Sequence, residues 1–188
     1  MSTLPSRLTT PRLVLRPWLP KDRPAYEEAV SGSFDHLSPW LSWARLPREE
    51  LWDELQTFLK KPETAHDIIY AAFDRAESRI LGGVGVHDRG GPDERELGYW
   101  LCADVTGAGL MTEAVREVTS AVFAALPVQS ITIICDPANA RSAGVPRRLG
   151  YDLEGIFPVR MMNPDRTENM IWRVKREAWE ACKTGRVV

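Results

Sequence analysis

The sequence is short of several things, and each shortage excludes something. No stretch approaches the roughly 20 apolar residues needed to span a bilayer, and the opening MSTLPSRLTTPRLVLRPW lacks the apolar centre of a signal peptide. The expectation is a cytoplasmic protein that does not enter a membrane. Cysteine is scarce: Cys102, Cys135 and Cys182 form no CxxC pair, and three thiols cannot all pair internally, which suits a reducing compartment. His36, His66 and His87 stand too far apart for a local metal motif, and neither HExxH nor a Walker A pattern occurs, so no metal is expected. Charge of one sign is also lacking. With 24 Lys plus Arg against 26 Asp plus Glu, the net charge of -2 excludes the broad basic field of a protein that grips nucleic acid through phosphates.

What is present is a globular pattern. The 188 residues are 44% hydrophobic, and a chain of this size buries roughly 70% of its unfolded surface, which suffices for a single domain over 1–188. Apolar alternation and β-branched runs predict seven strands, at 12–18, 67–74, 79–88, 94–103, 130–135, 151–157 and 169–174. Helical spacing predicts helices over 21–29, 48–61, 107–125 and 139–149, with 175–183 a short helix or a tail. In the third of these, Leu110, Ala114, Val118 and Val122 form one stripe, Met111 and Val115 flank it, and Glu113 and Glu117 lie away from it. Pro146 is awkward inside the fourth, implying a kink or a shorter first turn. The class is α/β: a mixed, largely antiparallel central sheet of about seven strands flanked by about four helices.

Two segments carry chemistry. The strand ending near Ala103 runs into Thr106, Gly107, Ala108 and Gly109 and then a long helix, so the glycines let the backbone curl while the amides of Leu110, Met111 and Thr112 face outward. Unpaired amides at a helix start attract an anion, and this is a phosphate cradle without a Walker A lysine. Asn139 is placed to cap the helix that follows, and Ser142 falls in its first turn, where the hydroxyl bonds to backbone or faces a ligand. Phe34, Trp40 and Trp43 crowd a Pro-interrupted loop that is either an acceptor wall or core. Cys102, among Trp100, Leu101 and Ala103, has nothing nearby to stabilise a thiolate and reads as a packed thiol.

The order of these elements, with TPRLVLRPW at 10–18, HLSPWLSWA at 36–44, ELGYWLCAD at 96–104, TGAGLMTEAV at 106–115 and NARSAGVPRRLGY at 139–151, resembles the GCN5-related N-acetyltransferases (GNAT), in particular the RimJ/RimL-like branch that acetylates ribosomal-protein termini. The resemblance implies the GNAT fold, splayed between the fourth and fifth strands, with acetyl-CoA as donor. Pantetheine would pair with backbone near Leu101 and Ala103, and an amide at Leu101 or Cys102 would receive the developing oxyanion. Residues 106–112 would hold the pyrophosphate. The family motif Q/R-x-x-G-x-G/A is departed from at Thr106 and Met111 and kept at Gly109, and the short Thr106 side chain cannot strap the loop.

Asn139 would contact pantetheine, Ser142 would protonate the departing thiolate, and Arg148, with Arg141 and Arg147, would reach the 3'-phosphoadenosine. An ammonium has no lone pair for attack on a thioester, so a base is needed. Glu96 is the candidate, acting through water, with Glu168 and Asp165 as alternative acids and Tyr99 aligned toward the substrate. Phe34, Trp40, Trp43 and Tyr99 would form the acceptor side. The implied activity is direct transfer of acetyl to a primary amine, a protein or peptide N-terminus among the candidates. A homodimer is expected on the separate ground that two-fold association is common. The alternatives are transfer of succinyl or another acyl group to a small amine, and a non-catalytic acyl-CoA-binding module.

Overall fold

The computed structural model describes residues 3–59, 68–158 and 167–183. His66, Asp165, the start of the second expected strand and the last two residues of the second expected helix lie outside them. One eight-stranded sheet runs β1 (Leu8–Thr9), β2 (Leu13–Pro17), β3 (Ile68–Asp74), β4 (Ile80–His87), β5 (Glu94–Leu101), β6 (Ser130–Cys135), β8 (Glu168–Lys175), β7 (Asp152–Pro158) in spatial order. The eighth strand is the two-residue β1. It folds back on β2 after a turn closed by the Thr10 hydroxyl accepting from the Leu13 amide, and is too short for any periodic signal. All neighbours are antiparallel except β5 and β6.

Alternation sends Leu13, Leu15, Tyr70, Ala72, Val84, Val86 and Leu97 to one face of the sheet and Val14, Ala71 and Phe73 to the other. The first face is covered by α4 (Leu110–Ala125), α5 (Ala140–Arg148) and α6 (Arg176–Lys183), the second by α1 (Arg23–Ser31) and α3 (Arg48–Leu59). The four-residue α2 (Phe34–Leu37) and a 3-10 turn at Ser42–Arg45 link α1 to α3. In α4 the expected stripe is buried, with Leu110 only half so, and Met111 and Val115 join the core. Glu113 is the surprise. It turns back to the start of β2 instead of to solvent, accepting from the Thr10 hydroxyl at 2.5 Å and from the Arg12 amide at 2.9 Å. Its partners are about 100 residues distant in sequence, which no local pattern encodes.

Candidate active site

The parallel pairing of β5 with β6 runs from Glu94 opposite Ser130 to Leu97 opposite Ile133 and there stops, although β5 continues to Leu101 and stays paired with β4. The two strands part at the level of Gly98. The Cys102 amide donates to the Leu81 carbonyl at 2.8 Å. Bonding sides alternate along a strand, so the backbone groups of Tyr99 and Leu101 point the other way, into the opening. An extended amide chain laid there meets a ready sheet edge.

Beyond β5 the chain makes a 3-10 turn at Ala103–Val105 and passes through Gly107 (φ 82°) and Gly109 (φ 76°) into α4. These left-handed positions favour glycine, and Gly109, as N-cap, offers no side chain to the first-turn amides, which leaves them open to an anion. Arg148 joins them from α5, its Nε donating to Thr112 Oγ1 at 3.2 Å. Met111 is buried in the core and also lines the cleft.

On the α4 side of the opening, Asn139 caps α5, its Oδ1 accepting from the Ser142 amide at 3.0 Å. Pro146 sits inside α5 without breaking it. Having no N–H, it cannot donate to the Ser142 carbonyl four residues back. The Tyr99 hydroxyl donates to that carbonyl instead, at 2.9 Å, and accepts from Ser142 Oγ at 3.3 Å. Burial pushes the Tyr99 phenol above its ordinary value, the Ser142 hydrogen bond opposing this only in part, so it stays protonated.

The opposite side is aromatic. Gly83 and Gly85 of β4 leave room on the sheet: a Cβ on either would fall 2.7 Å from Trp100 Nε1 or 2.4 Å from His87 Nε2. The Trp100 ring meets Trp43 and Tyr26 edge-on, with centroids 6.0 and 6.1 Å apart. Glu96 pairs with His87 in the β4–β5 register, and one of its oxygens accepts from Arg89 at 3.0 Å. His36, at the mouth, has its pKa lowered by burial and by the nearby Arg141.

One cleft of about 1200 Å³ joins the two sides. It is lined by Glu96, Tyr99, Leu101, every residue from Thr106 to Thr112, Asn139, Ser142, Arg148, Trp40 and Trp43. Phe34, Cys102, Ala103, Arg147 and Glu168 are expected residues that are not brought there. Phe34 is 48% exposed and turned outward. Cys102 is buried, its amide is committed to Leu81 and its thiol to the Ile80 carbonyl, and burial pushes the thiol up to about 11, so it offers neither an oxyanion donor nor a thiolate. The Ala103 amide is bonded to Ser33 Oγ at 3.1 Å. Leu101 is the oxyanion candidate that remains. Glu168 begins β8 outside the cleft.

Trp100, His87, Glu54 and Arg89 line the cleft but were not anticipated. The glycines of LGGVGVH, which clear space for large neighbours, are the sequence signal for Trp100 and His87; Glu54 and Arg89 have none. Among the described residues no cluster of three or more His, Cys, Asp or Glu is arranged to hold a metal, and no helix is long and apolar enough to cross a membrane.

A strand pair that parts beside a helix start with open amides offers a sheet edge and an anion-attracting terminus in one cleft. The site defines an acyltransferase that uses a coenzyme A thioester. Residues 12–152 match the family described as "Acetyltransferase (GNAT) domain", and the chain belongs to that family. As a member it is an acetyltransferase, moving acetyl from acetyl-CoA to an amine. YdaF of Bacillus subtilis (strain 168), named as a ribosomal N-acetyltransferase, is 25% identical over 143 residues, 72% of this chain and 75% of its own. RimL, solved with coenzyme A and named as a ribosomal alpha-N-protein acetyltransferase, superposes with a TM-score of 0.79 at 20% identity, over 93% of this chain and 98% of its own. The microcin self-immunity acetyltransferase MccE, solved with acetyl-CoA and AMP, gives a TM-score of 0.80 at 17% identity, over 93% and 98%. These two structures share the fold.

Proposed function

We propose that the acceptor is the α-amine of a protein or peptide N-terminus, acetylated by direct attack while both substrates are bound. The observation that carries this reading is the aromatic side of the cleft. Trp40 and Trp43 wall an open chamber rather than fill it, and it leads to Glu96 and His87 at the point where β5 and β6 part. An extended chain end fits such a chamber, with its apolar first side chains against the indoles and its terminal nitrogen at the carboxylate. The names carried by YdaF and RimL agree with such an acceptor.

Each side of the opening has its task. Residues 106–112 and Arg148 hold the nucleotide end, and backbone at Tyr99 and Leu101 aligns the pantetheine arm. The Leu101 amide receives the negative charge that develops on the thioester carbonyl. Glu96, through water, takes the proton that frees the amine's lone pair, and Ser142, hydrogen-bonded to the protonated Tyr99, returns a proton to the thiolate as it leaves. No covalent enzyme intermediate is required, and orientation supplies much of the acceleration. The chain acts as a single acyltransferase domain in the cytoplasm, and the commonness of two-fold association among oligomers is the support for a homodimer.

The test is thiol release by purified protein with acetyl-CoA and succinyl-CoA against small amines and short peptides of varied N-terminus, with products weighed by mass spectrometry. Acetylation confined to peptide α-amines is the expected result. Acetylation of small amines alone would overturn the proposed acceptor and leave the acetyltransferase assignment intact.

A further inference from the structure

Thr106 stands where the family motif places a long Gln or Arg, and the structure gives it no strap to hold. Its hydroxyl bends back to the Ala103 carbonyl at 2.9 Å and never crosses the loop. Gly107, with nothing within 4 Å of a would-be Cβ, adds no packing. Among the described residues, the hydrogen bond that ties residues 107–109 to a segment outside the loop and its helix comes from elsewhere: Arg12 Nη1 donates to the Ala108 carbonyl at 2.8 Å.

We infer that Arg12 is the positioning residue of the pyrophosphate loop, doing from outside the loop what a long side chain at position 106 would do from within. This rests on the reading that residues 106–112 hold pyrophosphate.

The guanidinium is itself held in place. Arg12 Nε donates to Glu113 Oε2 at 2.6 Å, while Glu113 Oε1 accepts from the Arg12 amide and from the Thr10 hydroxyl. Glu113 is three-quarters of a turn into α4, so one carboxylate ties the start of β2 to the first turn of the helix whose amides form the cradle. The Arg12 Nη2 atom lies 3.7 Å from where a Cβ on Gly109 would stand, against the back of the second left-handed glycine. Arg12 does not line the cleft. It therefore acts through the loop, fixing the Ala108 peptide and with it the direction of the amides that follow. A lone exposed ion pair contributes little. A planar fork with one arm on a carboxylate and another on a loop carbonyl fixes a geometry, which a lysine at the same place cannot reproduce.

The experiment compares CoA with pantetheine, which lacks the pyrophosphate, by calorimetric titration of the full chain, with pantetheine at millimolar concentration. Wild type binds CoA far more tightly than pantetheine; equal affinities would overturn the pyrophosphate reading itself. Arg12→Ala weakens CoA about tenfold and leaves pantetheine within about twofold, and Arg12→Lys does not restore CoA. Adding Thr106→Gln to Arg12→Ala recovers most of the lost affinity, which a general loss of stability would not allow. Should Arg12→Ala fail to fold, Glu113→Gln, which releases the guanidinium, is expected to show the same CoA-selective weakening. A wild-type preference for CoA that survives Arg12→Ala, or an equal loss of both ligands, refutes the role of Arg12 and leaves the pyrophosphate reading standing.

Discussion

The Tyr99 hydroxyl substitutes for a missing helix hydrogen bond, and its removal has a consequence that can be worked out from the geometry. Pro146 has no N–H to give the Ser142 carbonyl, so that carbonyl depends on Tyr99 at 2.9 Å. Tyr99→Phe takes this donor away from a half-buried carbonyl at the wall of the cleft. A part-buried carbonyl that loses its donor costs about 1–2 kcal/mol. For a chain of this length each kcal/mol lowers the melting temperature by roughly 2–4 °C. The cause is isolated by a second substitution. In Pro146→Ala the residue-146 amide can bond the Ser142 carbonyl, so deleting the Tyr99 hydroxyl no longer orphans that carbonyl, loses only the long bond from Ser142 Oγ, and should cost under about 1 kcal/mol. The unfolded-state effect of replacing proline enters both arms of the cycle and cancels. Urea unfolding of wild type, the two single variants and the double variant therefore yields a coupling of about 1–2 kcal/mol, the double variant being more stable than additivity allows. Additivity within about 0.5 kcal/mol would refute the argument.

Other consequences follow from the same coordinates. Iodoacetamide at pH 8 is expected to alkylate the exposed Cys182 and leave Cys102 unmodified, since burial raises that thiol to about 11; peptide mass mapping decides it. Gly82→Ala puts a methyl group 2.2 Å from the Trp100 carbonyl oxygen on the neighbouring strand, where backbone cannot yield, and should lower unfolding stability by about 3 kcal/mol. Burial raises the Asp22 carboxyl, but the bonds it accepts from Arg16 and from the Leu19 amide outweigh this and hold it below its ordinary value. A carboxyl lowered by folding stabilises at pH above its unfolded value of about 4, and that contribution disappears as pH falls through the folded value. Asp22→Asn should thus flatten the loss of urea resistance between pH 5 and pH 3, and at pH 7 cost about 3 kcal/mol by leaving Glu77 as the one carboxylate against the buried Arg16. Glu96→Gln should reduce turnover by about 100-fold or more with little change in CoA affinity, measured by thiol release and titration.

The elements that repeat along the chain were legible because burial imposes periods of two and 3.6: the strands from Leu13 to Val174 and the stripe of α4 follow from where Leu, Val and Ile recur. The left-handed loop before α4 was legible for another local reason, that Gly107 and Gly109 stand two residues apart directly before the helix they lead into. Long-range side-chain pairs were not. Glu113 reads as a solvent-facing acid until Arg12 is placed beside it, and no rule of spacing connects residues about 100 apart. Nor does periodicity tell where β5 and β6 cease to pair, because Gly98 to Leu101 look as strand-like as the four residues before them.

Pro146 is the instructive case, since it looked wrong for the helix that contains it. A proline in a helix interior leaves one carbonyl without its regular donor, and the fold must satisfy that carbonyl or lose stability. The misfit therefore announces that some distant donor reaches back to residue 142, without saying which. Here the donor is Tyr99, and its arrival carries the Ser142 hydroxyl and a protonated phenol to the place where the strands part. A local conflict of this kind, in a turn of helix that faces a cleft, is a stronger guide to which polar groups meet there than the agreement of pattern and structure in the core.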